Sequence, residues 1–244
     1  DAAAFAALEP PLGAAKPVAP ADLDALNAAG DVVVEAPPGA ADDLVRASGA
    51  RFVIVANAEG ASPDLPADAT LGTILTGVPA HAAATLRARD GVIGVLPEDR
   101  TLAAPSARDV AAALKSRWLV EGHSGGAIAR VMIGTVASDA ASPYFAARER
   151  KCVVTRYDKT DIQLAALGTD LELLVLTGGG QPSPYLLDRV AGERNGVSVL
   201  VAEEDTVDAM RAIEGLFGRS RFEGQSKLER AVALLDEAGV DIAF

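Results

Sequence analysis

The sequence predicts an α/β fold built as two successive domains, and three features predict it. Short, continuously apolar, β-branched runs recur along the 244 residues, among them Phe52-Val53-Ile54-Val55-Ala56 and Val92-Ile93-Gly94-Val95-Leu96. Runs that are apolar at every position, rather than at every second one, belong to strands buried on both faces of a parallel sheet. Stretches of about ten residues with helical character separate these runs, which is the grammar of β–α alternation. Finally, alanine and acid excess are both heavier in the earlier part of the chain, and Thr101-Leu102-Ala103-Ala104-Pro105-Ser106 reads as a join. One domain is therefore expected over 1–104 and a second over 105–244.

Taken in order, the Pro- and Ala-rich segment 10–20 reads as surface chain. A short helix is expected at 21–28, a strand at Asp31-Val32-Val33-Val34-Glu35, and a helix at 40–47. Strands follow at 52–56 and 71–75, a helix at 79–89, and a strand at 92–96. In the second half, Ser106 has the hydroxyl and the position of an N-cap for a helix over 106–115. A strand is expected at 128–136, a helix at 143–150, a strand at 152–155 and a helix at 160–167. The strand 171–176 runs into Thr177-Gly178-Gly179-Gly180; Ser183 then caps a helix that has Pro184 in its first turn and continues to 194. The strand 197–201 and the helices 206–217 and 226–237 complete the pattern.

Composition excludes several classes of function. Thirty-four acids against 22 bases give a formal net charge of −12. An acid excess of that size, with no basic stripe, argues against nucleic acid and against anionic membrane surfaces as partners. Cys152 stands alone, which excludes an intramolecular disulfide and suits a reducing, cytoplasmic setting. No apolar run approaches the ~20 residues that a membrane-spanning helix needs, and no signal peptide is visible. The chain opens on Asp1 rather than Met, so a cut or processed N-terminus is expected.

Motifs for catalysis are present only in fragments. Gly122-His123-Ser124-Gly125-Gly126 has the spacing of a nucleophile elbow, but such a hydrolase needs a histidine later in the chain and none follows. His81, Asp99 and Ser124 would have to converge in another order, and a flexible Gly-rich loop is the simpler reading. One cysteine and two histidines make no metal-ligand cluster of known spacing. His81 reads as a surface residue, Cys152 as a core thiol, and Glu203-Glu204-Asp205 as a solvated strand-to-helix loop. No Gly-Lys pair occurs, so the sequence shows no phosphate cradle of the P-loop type. No catalytic or metal-binding residue is therefore expected.

The best candidate site lies at the carboxyl ends of the second-half strands, where open parallel sheets bind ligands. Asp158, Lys159 and Thr160 follow one strand; Thr177, Gly178, Gly179, Gly180 and Ser183 follow the next; Asp205 and Thr206 follow the third. Three glycines let backbone N–H groups approach a ligand as an anion nest, and Ser183 adds a hydroxyl at a helix start. A nucleotide or another small anionic ligand would suit that pattern. The competing reading is that glycines and N-caps are simply what α/β connections require.

Two stretches resemble a known family. The join 92–106, with Pro97-Glu98-Asp99-Arg100 and Ala104-Pro105-Ser106, resembles that of BioD-like phosphotransacetylase-family proteins. Those proteins place a dethiobiotin-synthetase-like P-loop domain before a DRTGG domain. Asp158-Lys159 and Thr177-Gly178-Gly179 resemble the residues for which the DRTGG domain is named, and the pair of domains is similar to the N-terminal region of long phosphate acetyltransferases. The family has Arg where Lys159 stands, and the lysine lacks the planar fork of arginine. The family's purine-reading Asn appears as Thr76, and its first strand, P-loop, first helix and second strand have no counterpart here. Glu35 ends the first expected strand, where a P-loop enzyme holds Mg²⁺, a role that needs the loop. The resemblance implies a non-catalytic regulatory, ligand-sensing or oligomerisation module, a homo-oligomer serving an enzyme of acyl-phosphate or CoA metabolism. An ATP-dependent dethiobiotin-synthetase-like ligase with its P-loop upstream, or a phosphate acetyltransferase by family label, is the alternative. Pro97-Glu98-Asp99-Arg100 is expected to fix the domain junction through local ion pairs and turns.

Overall fold

The computed structural model of the chain describes residues 33–34, 51–57, 68–122, 126–192 and 196–240. The segment 10–20, the helices expected at 21–28 and 40–47, Glu35, His123 and Ser124 lie outside the described residues. Packing divides the chain into two compact units, Asp1–Asp99 with Ala231–Phe244, and Arg100–Arg230.

In the first unit β1 (Phe52–Asn57), β2 (Thr70–Val78) and β3 (Val92–Pro97) form a parallel sheet in the order β1-β2-β3, with α1 (Ala83–Arg87) between β2 and β3. Leu75, Val78, Leu86 and Val95 make a small core. Two expectations need correction. Of the strand expected at 31–35 only Val33 and Val34 are described; both are exposed, and among the described residues they pair with no strand. The helix expected over 79–89 is regular only at Ala83–Arg87; single turns flank it, with Ala82 N–H on the Pro79 carbonyl at 2.9 Å and Arg89 N–H on that of Leu86 at 3.2 Å.

The second unit opens with α2 (Arg100–Ala103) and α3 (Ala107–Ala113), followed by β4 (Arg117–Val120) and β5 (Arg130–Ile133). Then come α4 (Ser138–Ala146), β6 (Lys151–Arg156), α5 (Thr160–Leu167), β7 (Leu171–Thr177), α6 (Pro184–Gly192), β8 (Ser198–Val201) and α7 (Thr206–Glu214). The boundary between the units falls within the last helix, α8 (Gln225–Ala238). The sheet order is β4-β8-β7-β6-β5; β5 to β8 are parallel and β4 is antiparallel to β8. The strand β4 had no sequence signal of its own. It arises because the chain reverses after α3 at Lys115, a non-glycine residue at φ +45°, so Arg117 pairs with Val201 and the sheet is mixed rather than wholly parallel.

Alternation along the central strands sends side chains to two buried faces. Val153, Leu174, Leu176, Val199 and Val201 meet Ala141 and Phe145 of α4, Ile162 and Ala166 of α5, and Leu186 and Val190 of α6. Cys152, Val154, Leu173, Val175 and Leu200 meet Val110 and Leu114 at α3, and Ala209 and Ile213 of α7. Ser106 caps α3 in a reciprocal box: Asp109 N–H donates to Ser106 Oγ at 3.2 Å, and Ser106 N–H donates to Asp109 Oδ2 at 2.8 Å, an arrangement worth ~1 kcal/mol. The helix expected to start at Pro143 begins at Ser138 and contains that proline. Ala141 and Phe145, one turn apart and fully buried, anchor the helix on both sides of the ring. Arg100 also departs from the expected local pairing. Its Nη2 lies 3.2 Å from Glu214 and its Nε donates to the Ala129 carbonyl at 2.8 Å, while the guanidinium sits 4.3 Å from the Phe217 ring centroid.

Candidate functional site

Because β6, β7 and β8 are adjacent and parallel, the loops that leave their carboxyl ends lie side by side. Of the ten residues singled out in the sequence, Thr177 ends β7 and the other nine fall on these loops or at the helix starts that follow them. The loops are bonded to one another. Thr160 Oγ1 donates to Ser183 Oγ at 3.2 Å, joining the start of α5 to that of α6. The hydroxyls of Thr177 and Thr206 are 2.9 Å apart, joining the end of β7 to the start of α7. Gly178 N–H donates to the Glu204 carbonyl and Gly179 N–H to the Ala202 carbonyl, both at 2.9 Å.

These last bonds correct the anion-nest reading. The N–H groups of Gly178 and Gly179 point into the neighbouring loop and are spent there. The glycines serve close approach instead. A Cβ on Gly180 would stand 2.3 Å from the Tyr157 ring, and one on Gly179, at φ +64°, would stand 2.1 Å from Glu203 Oε2. Asp205 is likewise engaged, accepting from Val207 N–H at 2.8 Å and Asp208 N–H at 2.9 Å as the cap of α7.

Asp158 is gripped by a planar fork after all, but from Arg156 rather than from position 159. Nε donates to Oδ1 at 3.0 Å and Nη2 to Oδ2 at 2.8 Å. That hydrogen-bonded pair holds the Asp158 carboxyl below the usual carboxylate range and the Arg156 guanidinium above its own. Lys159 is exposed at the turn before α5, and its ammonium makes no ion pair among the described residues.

Sequence reasoning missed four residues that shape the site. Arg156 lies two positions before Asp158, a spacing that carries no general signal. Tyr157 is half-buried and packs against Gly178 and Gly180. Gln163, wholly buried on α5, donates from Nε2 to the Arg156 carbonyl at 2.7 Å and the Tyr157 carbonyl at 3.0 Å, and so fixes the β6–α5 loop. Glu204 is only half exposed to solvent in character: it is partly buried, and its Oε2 is sealed from water without a hydrogen-bond donor. The loop Glu203-Glu204-Asp205 is therefore not simply solvated, because the bond from Gly178 draws Glu204 inward.

Among the described residues no group of three His, Cys, Asp or Glu side chains could hold a metal ion, and no helix is long and apolar enough to cross a membrane. Cys152 is wholly buried, and burial pushes its thiol well above the ordinary range. A cleft of about 480 Å³ lies along α3 and β4, around Arg108, Lys115 and Trp118, and none of the ten residues lines it.

Residues 109–216 match the model of the DRTGG domain. This segment is a DRTGG domain. It contains all three strand-end loops and every residue of the candidate site. The chain is also similar to the CBS and DRTGG domains of the regulatory region of a Clostridium perfringens pyrophosphatase, whose structure holds an activator, diadenosine tetraphosphate. That match has 13% identity, covers 69% of this chain and 87% of the other, and has a TM-score of 0.42. A likeness that distant carries nothing about ligands from that protein to this DRTGG domain.

Proposed function

We propose that this chain is a regulatory module whose DRTGG domain senses a small ligand at the carboxyl ends of β6, β7 and β8 without transforming it. The observation that carries the reading is the cross-bonding of the loops. The Thr160–Ser183 and Thr177–Thr206 contacts, with the two glycine N–H bonds, make three loops and three helix starts one mechanical unit. A ligand that displaces one loop acts on the others, which is what a sensor requires. The acids also favour binding over chemistry. Asp158 is held by Arg156 and Asp205 by its helix start, so neither is poised to move a proton.

The join at 92–106 supports a relation to the N-terminal region of the phosphotransacetylase family. The signal would then pass to an enzyme of acyl-phosphate or CoA metabolism, within a self-associating assembly.

A thermal-shift screen of the chain against nucleotides, dinucleotides, CoA and acyl phosphates tests the reading. A ligand bound only by the folded state, at about 100 times its Kd, adds about 2.7 kcal/mol. We expect at least one compound to raise the Tm, and Gly179→Val, which forces a branched side chain into a left-handed position against Glu203, to abolish the rise. Stabilisation that survives in Gly179→Val would place binding elsewhere and sink the proposal. Sizing with and without the active compound reads the assembly.

A further inference from the structure

We propose that the cleft between α3 and β4 is a binding site of its own, which takes a small aromatic carboxylate: the ring lies against Trp118 and the carboxylate meets the Lys115 ammonium. The inference stands apart from the strand-end loops and does not rest on the sensing role proposed above.

The cleft has a volume of about 480 Å³, within the ~300–1,000 Å³ usual for small-molecule sites. It exists because the chain reverses after α3 and because Ala111 and Ala112 line the helix side. Side chains this small leave open the space between helix and strand. On the strand side stands Trp118, the only tryptophan of the chain, half-buried against the core under α3 and α7 and bordering the cleft. An indole beside two alanines is a surface for a flat ring.

Charge selects a monoanion. Arg108 and Glu121, from the two walls, form an ion pair at 3.1 Å and cancel. Lys115 remains, exposed and without an ion pair among the described residues. One unbalanced positive charge suits a carboxylate, and Glu121 disfavours a phosphate dianion.

The backbone supplies an independent pointer. The helix α3 ends in a Schellman turn: Lys115 N–H donates to the Ala112 carbonyl at 3.3 Å and Ser116 N–H to the Ala111 carbonyl at 3.0 Å. The left-handed position of such a turn favours glycine, yet Lys115 occupies it at φ +45°. A side chain kept where glycine would be under less strain points to a role beyond the fold. The same two bonds cover carbonyls at the helix end that would otherwise repel a carboxylate.

Trp118 makes the test direct, because the tryptophan fluorescence of the chain comes from the cleft alone. Nicotinate and benzoate are the probes. Nicotinamide keeps the ring without the charge, acetate keeps the charge without the ring, and inorganic phosphate offers a dianion. The variants are Lys115→Ala, Lys115→Gly and Ala112→Leu, the last filling the cleft from an exposed position. Nicotinate or benzoate should change the wild-type fluorescence saturably at low salt. Nicotinamide, acetate and phosphate should bind at least about threefold more weakly, and the three variants should lose at least about the same factor. In thermal unfolding Lys115→Gly should melt about 2–4 °C above Lys115→Ala, because glycine relieves the left-handed position. Gly179→Val, outside the cleft, should bind the carboxylate as the wild type does. If neither carboxylate binds, or if the variants bind it as the wild type does, the inference fails. If nicotinamide or phosphate binds as tightly as nicotinate, the assignment to Lys115 and a monoanion fails. If Lys115→Gly melts no higher than Lys115→Ala, the position is not strained and the inference fails. If Gly179→Val loses the carboxylate, binding belongs to the strand-end loops and the cleft is not the site. Each of these failures leaves the sensing role standing.

Discussion

In the five-stranded sheet β8 is buried at every position and β6 at every position but its last, and helices cover both faces. In the three-stranded sheet β1 is nowhere fully buried among the described residues, and Val55 is 67% exposed. The two runs read alike in sequence: Phe52-Val53-Ile54-Val55 and Cys152-Val153-Val154-Thr155 are both short, apolar and β-branched. What differs is what lies above and below them, which no single run encodes. The difference also bears on where function can sit. Once both faces of a sheet are covered, its polar chemistry reaches solvent at the strand ends, and there the DRTGG domain gathers its threonines, glycines and acids.

The most direct way to break this contrast is by core truncation. Leu174→Ala, at a fully buried position of β7, should cost about 2–5 kcal/mol, whereas Val55→Ala in β1 should cost about 0.5 kcal/mol or less. Denaturant melts of the two variants would decide it; equal losses would mean that the sheets are packed alike. Next in size, Gly180→Ala should cost about 1–3 kcal/mol, because its Cβ meets the Tyr157 ring at 2.3 Å. Combining it with Tyr157→Ala should recover part of that loss, and additivity would show that the two do not touch.

A smaller effect concerns the opposite end of the same sheet. Lys151 is wholly buried, and its ammonium donates to the carbonyls of Arg148 and Asp170. Burial lowers its pKa, against the pull of Asp170 and Glu149. With the folded pKa below the unfolded one, the unfolded chain binds more protons in between. Wild-type stability relative to Lys151→Met should therefore rise with pH between that lowered value and about 10.4. Urea melts of both proteins across the alkaline range would test the sign. The smallest effect belongs to the exposed Arg156–Asp158 pair. The lowered Asp158 pKa contributes stability above the unfolded value of about 3.9, lost as pH falls through the folded value. Arg156→Ala should flatten that acid limb by removing the pair's small contribution at neutral pH while leaving stability below the folded pKa of Asp158 unchanged; an unaltered acid limb would show the pair to be idle.

Much of the candidate site was legible because parallel α/β sheets put functional residues at strand ends and helix starts. Thr160 opens α5 and Thr206 opens α7, while the Ser183 hydroxyl accepts from Leu186 N–H at 3.3 Å in the first turn of α6. Tyr157, Gln163 and Glu204 were not legible as site residues. An aromatic before an acid, a glutamine in a helix and one acid among three carry no pattern; their roles come from groups brought near by the sheet.

Local signals suffice for the α/β class, most strands of the DRTGG domain and the loops on which the candidate site lies, because apolar runs, caps and glycines act within a few residues. Long-range packing sets the direction of β4, the reach of Arg100 to Glu214, and which donors and acceptors at the strand ends are spent. Gly178 finds its acceptor at Glu204 only because β7 and β8 are neighbours. Hydrogen-bond partners far apart in the chain are set by the order of strands in the sheet, and that order follows from how two covered faces can be packed at once.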